Sequence, residues 1–253
     1  NTIVAIASPG GVERARPLIE RHAARLRKGE RIYYPDYGEA ARRSVREKSS
    51  TVYLLPRDIP QATVTIGTVA PSIFDGNVFP LTVMNYILGE GSFNSRLMQE
   101  IRVKRGLSYS AGSTIRFRKN TGLFISYAQT KTEMADTTLS LLKENILRMG
   151  EHSVTGDELK WARESISNSY IFGFDTTLSV LEKYLFLGYN GLDESYLRDY
   201  LPGIMAATQA EMRGSAEALF GQGMVTVVVG KRELAGRLAR FGRVEIIEQE
   251  SAR

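Results

Sequence analysis

Two side chains in this 253-residue chain have the types and spacing to hold a polarised oxygen. Arg102 falls late in a predicted helix, and Tyr109 falls on the predicted strand just beyond Gly106. A helix that reverses through a glycine turn can bring two such side chains together, although they stand seven positions apart in the chain. Arginine presents a rigid fork of N–H donors and tyrosine a single hydroxyl. Together they could hold a peptide carbonyl and stabilise the negative charge that develops on its oxygen. On residue type alone Lys104 and Arg105 are equally available, and a surface ion pair accounts for these cations as well.

Other chemistries are absent. A hydrolytic zinc needs imidazoles and carboxylates converging on one point, and the chain has only two histidines, His22 and His152. His22 lies in a predicted helix with Leu18 and Leu26 four residues to either side, and His152 sits in a Glu-His-Ser turn; both read as solvated surface residues. Neither H-E-x-x-H nor H-x-x-E-H occurs. There is no G-x-S-x-G nucleophile motif, and the lack of cysteine removes disulfides, thiolate catalysis and thiolate-bound metals. Gly89-Glu90-Gly91-Ser92-Phe93-Asn94 superficially suggests a phosphate loop. It lacks the terminal Gly-Lys-Ser/Thr and joins two predicted helices, so the glycines read as a tight helix–helix corner.

Positioning Arg102 and Tyr109 requires a folded scaffold, and the composition supplies one. Hydrophobic residues make up 43% and charged residues 24%, which fits a globular chain. The formal charge of +5 is mild and scattered; Arg42, Arg43, Arg46 and Lys48 form its densest stretch, which reads as a solvated linker. No nucleic-acid stripe is present. No apolar run approaches the roughly 18 residues a membrane-spanning helix needs. The start, Asn1-Thr2-Ile3-Val4, is not a signal peptide and has no initiator Met, so the chain reads as a piece of a longer one. The compartment stays open, with bacterial periplasm and cytoplasm both compatible.

Along the chain, residues 2–7 read as a strand and 12–26 as a helix, with Pro17 weakening its first turns. Residues 224–229 and 233–241 repeat this strand, glycine turn and helix, so residues 1–26 read as the closing unit of one domain and the second copy as the close of the next. Between them 27–48, polar and basic, reads as an interdomain linker whose Tyr33 and Tyr34 could pack on a domain face. Residues 51–55 and 62–69 alternate as strands, and 79–88 is helical. Asn94 is the expected cap of a helix ending at Arg105, with Gly106 at its C′ position. Residues 107–117 and 122–127 pair as strands across a turn in which Asn120 is expected to take positive φ. Helices follow at 134–149, from Thr155-x-x-Glu158 (a capping box) to Tyr170, at 178–187 and at 194–201. Strands, then helices, then a closing strand predict an α+β fold, an antiparallel or mixed sheet with helices packed on one face.

The run from Leu88 to Ser110, LGEGSFNSRLMQEIRVKRGLSYS, resembles the second-domain signature of the pitrilysin-like zinc peptidases, family M16. The glycine corner, the Ser-Arg-Leu step, the acidic-Ile-Arg step and the Arg-Gly-Leu-x-Tyr-Ser end are all in order. The one departure is Glu90 in place of the second glycine. The resemblance implies a LuxS/mitochondrial-processing-peptidase-like fold, with residues 1–26 closing a truncated preceding domain, 27–48 a linker and 49–253 the second domain. It further implies that Arg102 and Tyr109 are the family's substrate-orienting pair, auxiliary to a zinc held elsewhere. No cofactor or metal ligand is expected in this chain and no hydrolysis by it alone; zinc is expected in a partner half or in an upstream domain. The implied partners are a peptide substrate and a zinc-bearing M16-type half or subunit, or a second copy of the chain. The alternative is a structural subunit like the degenerate core proteins of respiratory complex III.

Overall fold

The computed structural model describes residues 2–27, 29–30 and 36–248. In chain order its elements are helices α1 (Gly11–Ala23) and α2 (Gly38–Lys48), strands β1 (Thr51–Pro56) and β2 (Gln61–Ala70), helix α3 (Val78–Asn85), strands β3 (Ser108–Arg116) and β4 (Gly122–Lys131), helices α4 (Ala135–Glu151), α5 (Gly156–Ile171), α6 (Thr177–Asn190), α7 (Ser195–Ala206) and α8 (Gln209–Gly221), strand β5 (Val225–Gly230), helix α9 (Leu234–Leu238) and strand β6 (Arg243–Ile246). A wide π-turn (Tyr86–Glu90), a 3-10 turn (Ser92–Asn94) and a π-helix (Met98–Val103) connect α3 to β3. The chain divides into two compact units, Asp36–Ser165 with Gly203–Arg253, and Asn1–Pro35 with Ile166–Pro202.

The larger unit is built on a six-stranded sheet of order β3-β4-β2-β5-β1-β6. It is mixed: β1 runs parallel to β5 and β6, and the pairs β2–β4, β2–β5 and β3–β4 are antiparallel. The period-2 pattern decides which face is covered. Ala62, Val64, Ile66 and Thr68 of β2 are buried, as are Phe124, Ser126, Ala128 and Thr130 on the same face of β4. Three helices cover that face. From α4, Leu139, Leu142 and Ile146 are fully buried, and Thr138 Oγ1 lies 3.3 Å from Thr130 Oγ1. From α8, Phe220 meets Phe124 edge-on at 4.9 Å. From α3, Asn85 Oδ1 accepts from Ser113 Oγ at 2.7 Å. Burial of each large apolar side chain in this layer contributes about 1.5–3 kcal/mol. The other face of β4 exposes Leu123 and Tyr127. The expected α+β layer fold is therefore present.

The smaller unit holds α1, α6 and the adjoining ends of α5 and α7. Tyr170 stacks on Tyr200 at 4.8 Å and donates its hydroxyl to the Leu197 carbonyl at 2.9 Å. Burial, with Tyr170 alongside, pushes the Tyr196 phenol up to about 12.

Several local expectations differ from the structure. Residues 2–7 form no strand; a strand needs a partner for its backbone groups, and none pairs with this segment among the described residues. The stretch expected as a linker, 27–48, contains helix α2. Gly38, Ala41, Arg42 and Val45 form its less exposed side, a helical stripe that the surrounding charges obscure. Tyr33 and Tyr34 lie outside the described residues. Asn120 does not take positive φ; the only non-glycine residue that does is Ser92, at 55° among the described residues. Helix α8 and strand β6 were not expected, although Thr208 and Glu211 form a full capping box at the start of α8. No described helix is long and apolar enough to cross a membrane.

Candidate functional site

The site is assembled by the connection between α3 and β3. Its first part is the glycine corner. The Gly91 N–H reaches back to the Tyr86 carbonyl at 2.9 Å, closing the wide turn. A Cβ at Gly89 would fall 2.3 Å from the Ser113 backbone nitrogen and 2.8 Å from the Gly112 carbonyl carbon. The corner thus lies directly against the backbone of edge strand β3, which only glycine permits. A Cβ at Gly91 would meet the Trp161 ring at 2.3 Å. Glu90, the departure from the family pattern, anchors the corner: its Oε2 accepts from Asn85 Nδ2 at 2.7 Å, and Asn85 is fully buried. Burial of the carboxyl raises the Glu90 pKa, partly offset by the Asn85 hydrogen bond.

The second part is the helix that carries Arg102. It starts at Ser95 rather than at Asn94, which lies in the 3-10 turn; the Ser95 carbonyl accepts from the Gln99 N–H at 2.9 Å. Arg96 grips Glu158 through two bonds, Nε to Oε1 at 2.7 Å and Nη2 to Oε2 at 2.8 Å. Glu158 also accepts from the Thr155 N–H at 2.8 Å, while Thr155 Oγ1 accepts from the Glu158 N–H at 3.1 Å, the expected capping box. Burial would raise the Glu158 carboxyl, but the Arg96 and Thr155 hydrogen bonds prevail and hold it below its ordinary value. The helix ends at Gly106, φ 60°. Its N–H reaches the Arg102 carbonyl at 2.9 Å, and the Leu107 N–H reaches Ile101 at 2.9 Å. This is a helix-terminating glycine closure, widened by the π-helical turn before it.

The third part is a β-bulge. The β3–β4 register steps from Ser108↔Thr130 to Ser110↔Gln129, so Tyr109 has no partner across the ladder. Ser108 Oγ stitches the bulge, lying 2.6 Å from both the Ser110 and Gln129 carbonyl oxygens. Bulges re-aim side chains, and Tyr109 is 81% exposed.

These parts bring Arg102 and Tyr109 together. The Arg102 guanidinium carbon lies 4.5 Å from the centre of the Tyr109 ring and 4.6 Å from that of Phe93. The contact is a cation on aromatic faces rather than a hydrogen bond, so the N–H edge of the guanidinium and the phenolic hydroxyl remain available. The competing cations are engaged: Lys104 pairs with Glu100 at 2.5 Å, and Arg105 pairs with the same carboxylate. Hydrogen bonds from Lys104 and then Arg105 lower the Glu100 pKa. Among the described residues Arg102 has no carboxylate partner. Sequence reasoning did not single out Phe93, the bulge or the Glu90–Asn85 anchor. An aromatic residue beside a glycine corner, outside any apolar periodicity, was the available signal for the first.

The described residues do not fit a resident zinc. His22 in α1 and His152 beyond α4 are both exposed and belong to separate units. No group of three or more His, Asp or Glu residues that could hold a metal occurs among the described residues.

The model for the Peptidase M16 inactive domain matches residues 1–166. An uncharacterized zinc protease of Streptomyces coelicolor is 28% identical over 245 residues, covering 94% of this chain and 52% of that protein. An uncharacterized zinc protease of Rickettsia bellii is 27% identical over 183 residues, covering 71% and 43%. Among solved structures, a protease from Helicobacter pylori superposes with a TM-score of 0.72 at 16% identity, over 87% of this chain and 52% of that one. A peptidase M16 inactive domain from Pseudomonas fluorescens gives 0.67 at 23% identity, over 81% and 46%. At these identities the solved structures show the fold alone. The chain spans about half the length of the Streptomyces relative and of both solved chains.

Proposed function

The chain belongs to the M16 peptidase family, matching its inactive domain over residues 1–166, and from that premise we propose that it is the non-catalytic, substrate-binding part of an M16-type zinc metallopeptidase. The carrying observation is the free guanidinium edge of Arg102 beside the exposed Tyr109 hydroxyl, on a turn whose other two cations, Lys104 and Arg105, are both held by the Glu100 carboxylate. A cation without a carboxylate, next to a neutral hydroxyl donor, suits a substrate carbonyl oxygen. Both groups donate, neither accepts in that role, and the bond each makes strengthens as charge develops on the oxygen. The peptide lies extended, with its carbonyl held here. Hydrolysis is carried out by a zinc-bearing half, either a separate subunit or another part of the parent protein. The Streptomyces relative, named a zinc protease, is about twice the matched length, which leaves room for such a half. No step in this chain runs through the metal.

The test is turnover of a peptide by the assembly reconstituted with its zinc-bearing half. Tyr109→Phe removes one hydroxyl and little volume. Loss of one such donor costs about 3 kcal/mol, on the order of a hundredfold in rate, and the loss should fall on kcat more than on KM. Arg118→Ala, an exposed charge beyond β3, should leave the rate unchanged. Wild-type turnover by Tyr109→Phe in a folded, associated assembly would assign the domain to scaffolding instead.

A further inference from the structure

We infer that Phe93 is a positioning residue for Arg102, an inference that rests on the proposed function only where it concerns the substrate. Phe93 sits in the 3-10 turn just beyond the glycine corner and is 54% exposed. It does not fill the core, yet its ring centre lies 4.6 Å from the Arg102 guanidinium carbon, matched by Tyr109 at 4.5 Å. Among the described residues the two rings make no ring contact with each other, so the cation is what joins them. A guanidinium is planar and stacks on aromatic faces. Clamped by two rings, it keeps its plane fixed while the N–H edge stays free.

The turn that holds Phe93 is itself tied down. Its carbonyl accepts from Gln99 Nε2 at 2.6 Å, and Gln99 is on the same helix as Arg102. Ser95 Oγ donates to the Ser92 carbonyl at 2.8 Å, and Ser92 occupies a left-handed conformation, φ 55°, that a serine seldom adopts. The corner and the helix thus set the Phe93 ring against Arg102 through bonds that bypass the core. Without Phe93 the long Arg102 side chain would hold one ring contact and regain rotamer freedom. A donor fixed in advance acts on a developing oxyanion without reorganising, so the clamp converts a flexible cation into a fixed one.

The experiment uses nitrogen-15 NMR on the 253-residue chain and peptide turnover by the reconstituted assembly. Phe93→Leu should leave the melting temperature nearly unchanged, because the ring is half exposed. It should accelerate rotation of the Arg102 guanidinium about its Cζ–Nε bond several-fold, and Phe93→Trp should restore slow rotation. In the assembly, Phe93→Leu should lower kcat about tenfold with little change in KM, and Phe93→Trp should recover it. Unchanged Arg102 rotation in Phe93→Leu overturns the clamp. Faster rotation with wild-type kcat overturns its role toward substrate; if Tyr109→Phe still slows turnover in the same assay, the proposed function stands without it, and if Tyr109→Phe is also silent, the proposed function fails as well.

Discussion

At the scale of single residues, the site depends on side chains doing unlike jobs within about twenty positions. Arg102 is half-buried beside the exposed Tyr109, while Glu90, itself an exposed residue, reaches back with its carboxyl to accept a hydrogen bond from the buried Asn85. The Glu90 carboxyl is held above its ordinary pKa by burial, so the folded state binds its proton more tightly than the unfolded state. Below the ordinary value both states are protonated and no penalty exists; as pH rises through the raised value, ionisation in the folded state costs stability. Glu90→Gln keeps an oxygen acceptor for Asn85 and removes that ionisation. The variant should melt at a higher temperature than wild type at pH 7, with the gap closing at pH 4, as followed by circular dichroism. A variant less stable at pH 7 would show that the charge itself holds Asn85. Glu158 has the opposite sign. Its carboxyl is held below the ordinary value of 4.5 against the effect of burial, so its stabilisation is complete above that value and is lost as pH falls through the lowered one. The helix, glycine and strand order allowed Arg102 and Tyr109 to meet but left Lys104 and Arg105 equally available; the family resemblance singled out the pair, and the structure sets Arg102 beside the Tyr109 ring. The Phe93 contact was not legible in the sequence, since it depends on the φ of Ser92 and on a turn with no periodicity.

At the scale of elements, the glycine corner controls how closely the α3–β3 connection approaches the sheet. Gly89→Ala would place a methyl group 2.3 Å from a backbone nitrogen of β3, an atom that cannot rotate away. The substitution should cost about 3 kcal/mol in chemical denaturation, and less than about 0.5 kcal/mol would mean that the corner is not clamped to β3. Elements with strong local signals were readable beforehand: the alternation of β2, the capping box of α5 and the Gly106 terminus all stand where the sequence places them. Those that depend on tertiary partners were not. Residues 2–7 have the β-branched composition of a strand but no partner strand among the described residues. The less exposed side of helix α2, Gly38, Ala41, Arg42 and Val45, includes an arginine and so shows no apolar periodicity, and β6 is four residues long and formed by pairing with β1. The β-bulge at Tyr109 is a register property of two strands, invisible in either one alone.

At the scale of the whole molecule, the chain belongs to the inactive domain of a peptidase family, spans about half of its longer relatives, and among its described residues brings no metal-binding group together. The isolated protein should therefore retain no stoichiometric zinc after dialysis, by elemental analysis; one tightly held zinc per chain, with unfolding on chelation, would require ligands that the described residues do not assemble. If Arg102 and Tyr109 act as one unit on the substrate, the effects of replacing them are coupled. A double-mutant cycle in the reconstituted assembly tests this most directly, comparing peptide turnover for wild type, Tyr109→Phe, Arg102→Lys and the double variant, with association followed by size-exclusion chromatography. Each single variant should lose on the order of a hundredfold in kcat, and the double variant should lose far less than the product of the two, because groups that act on the same oxygen are not additive. Wild-type turnover in all three variants, with folding and association intact, would contradict a joint role for the two side chains.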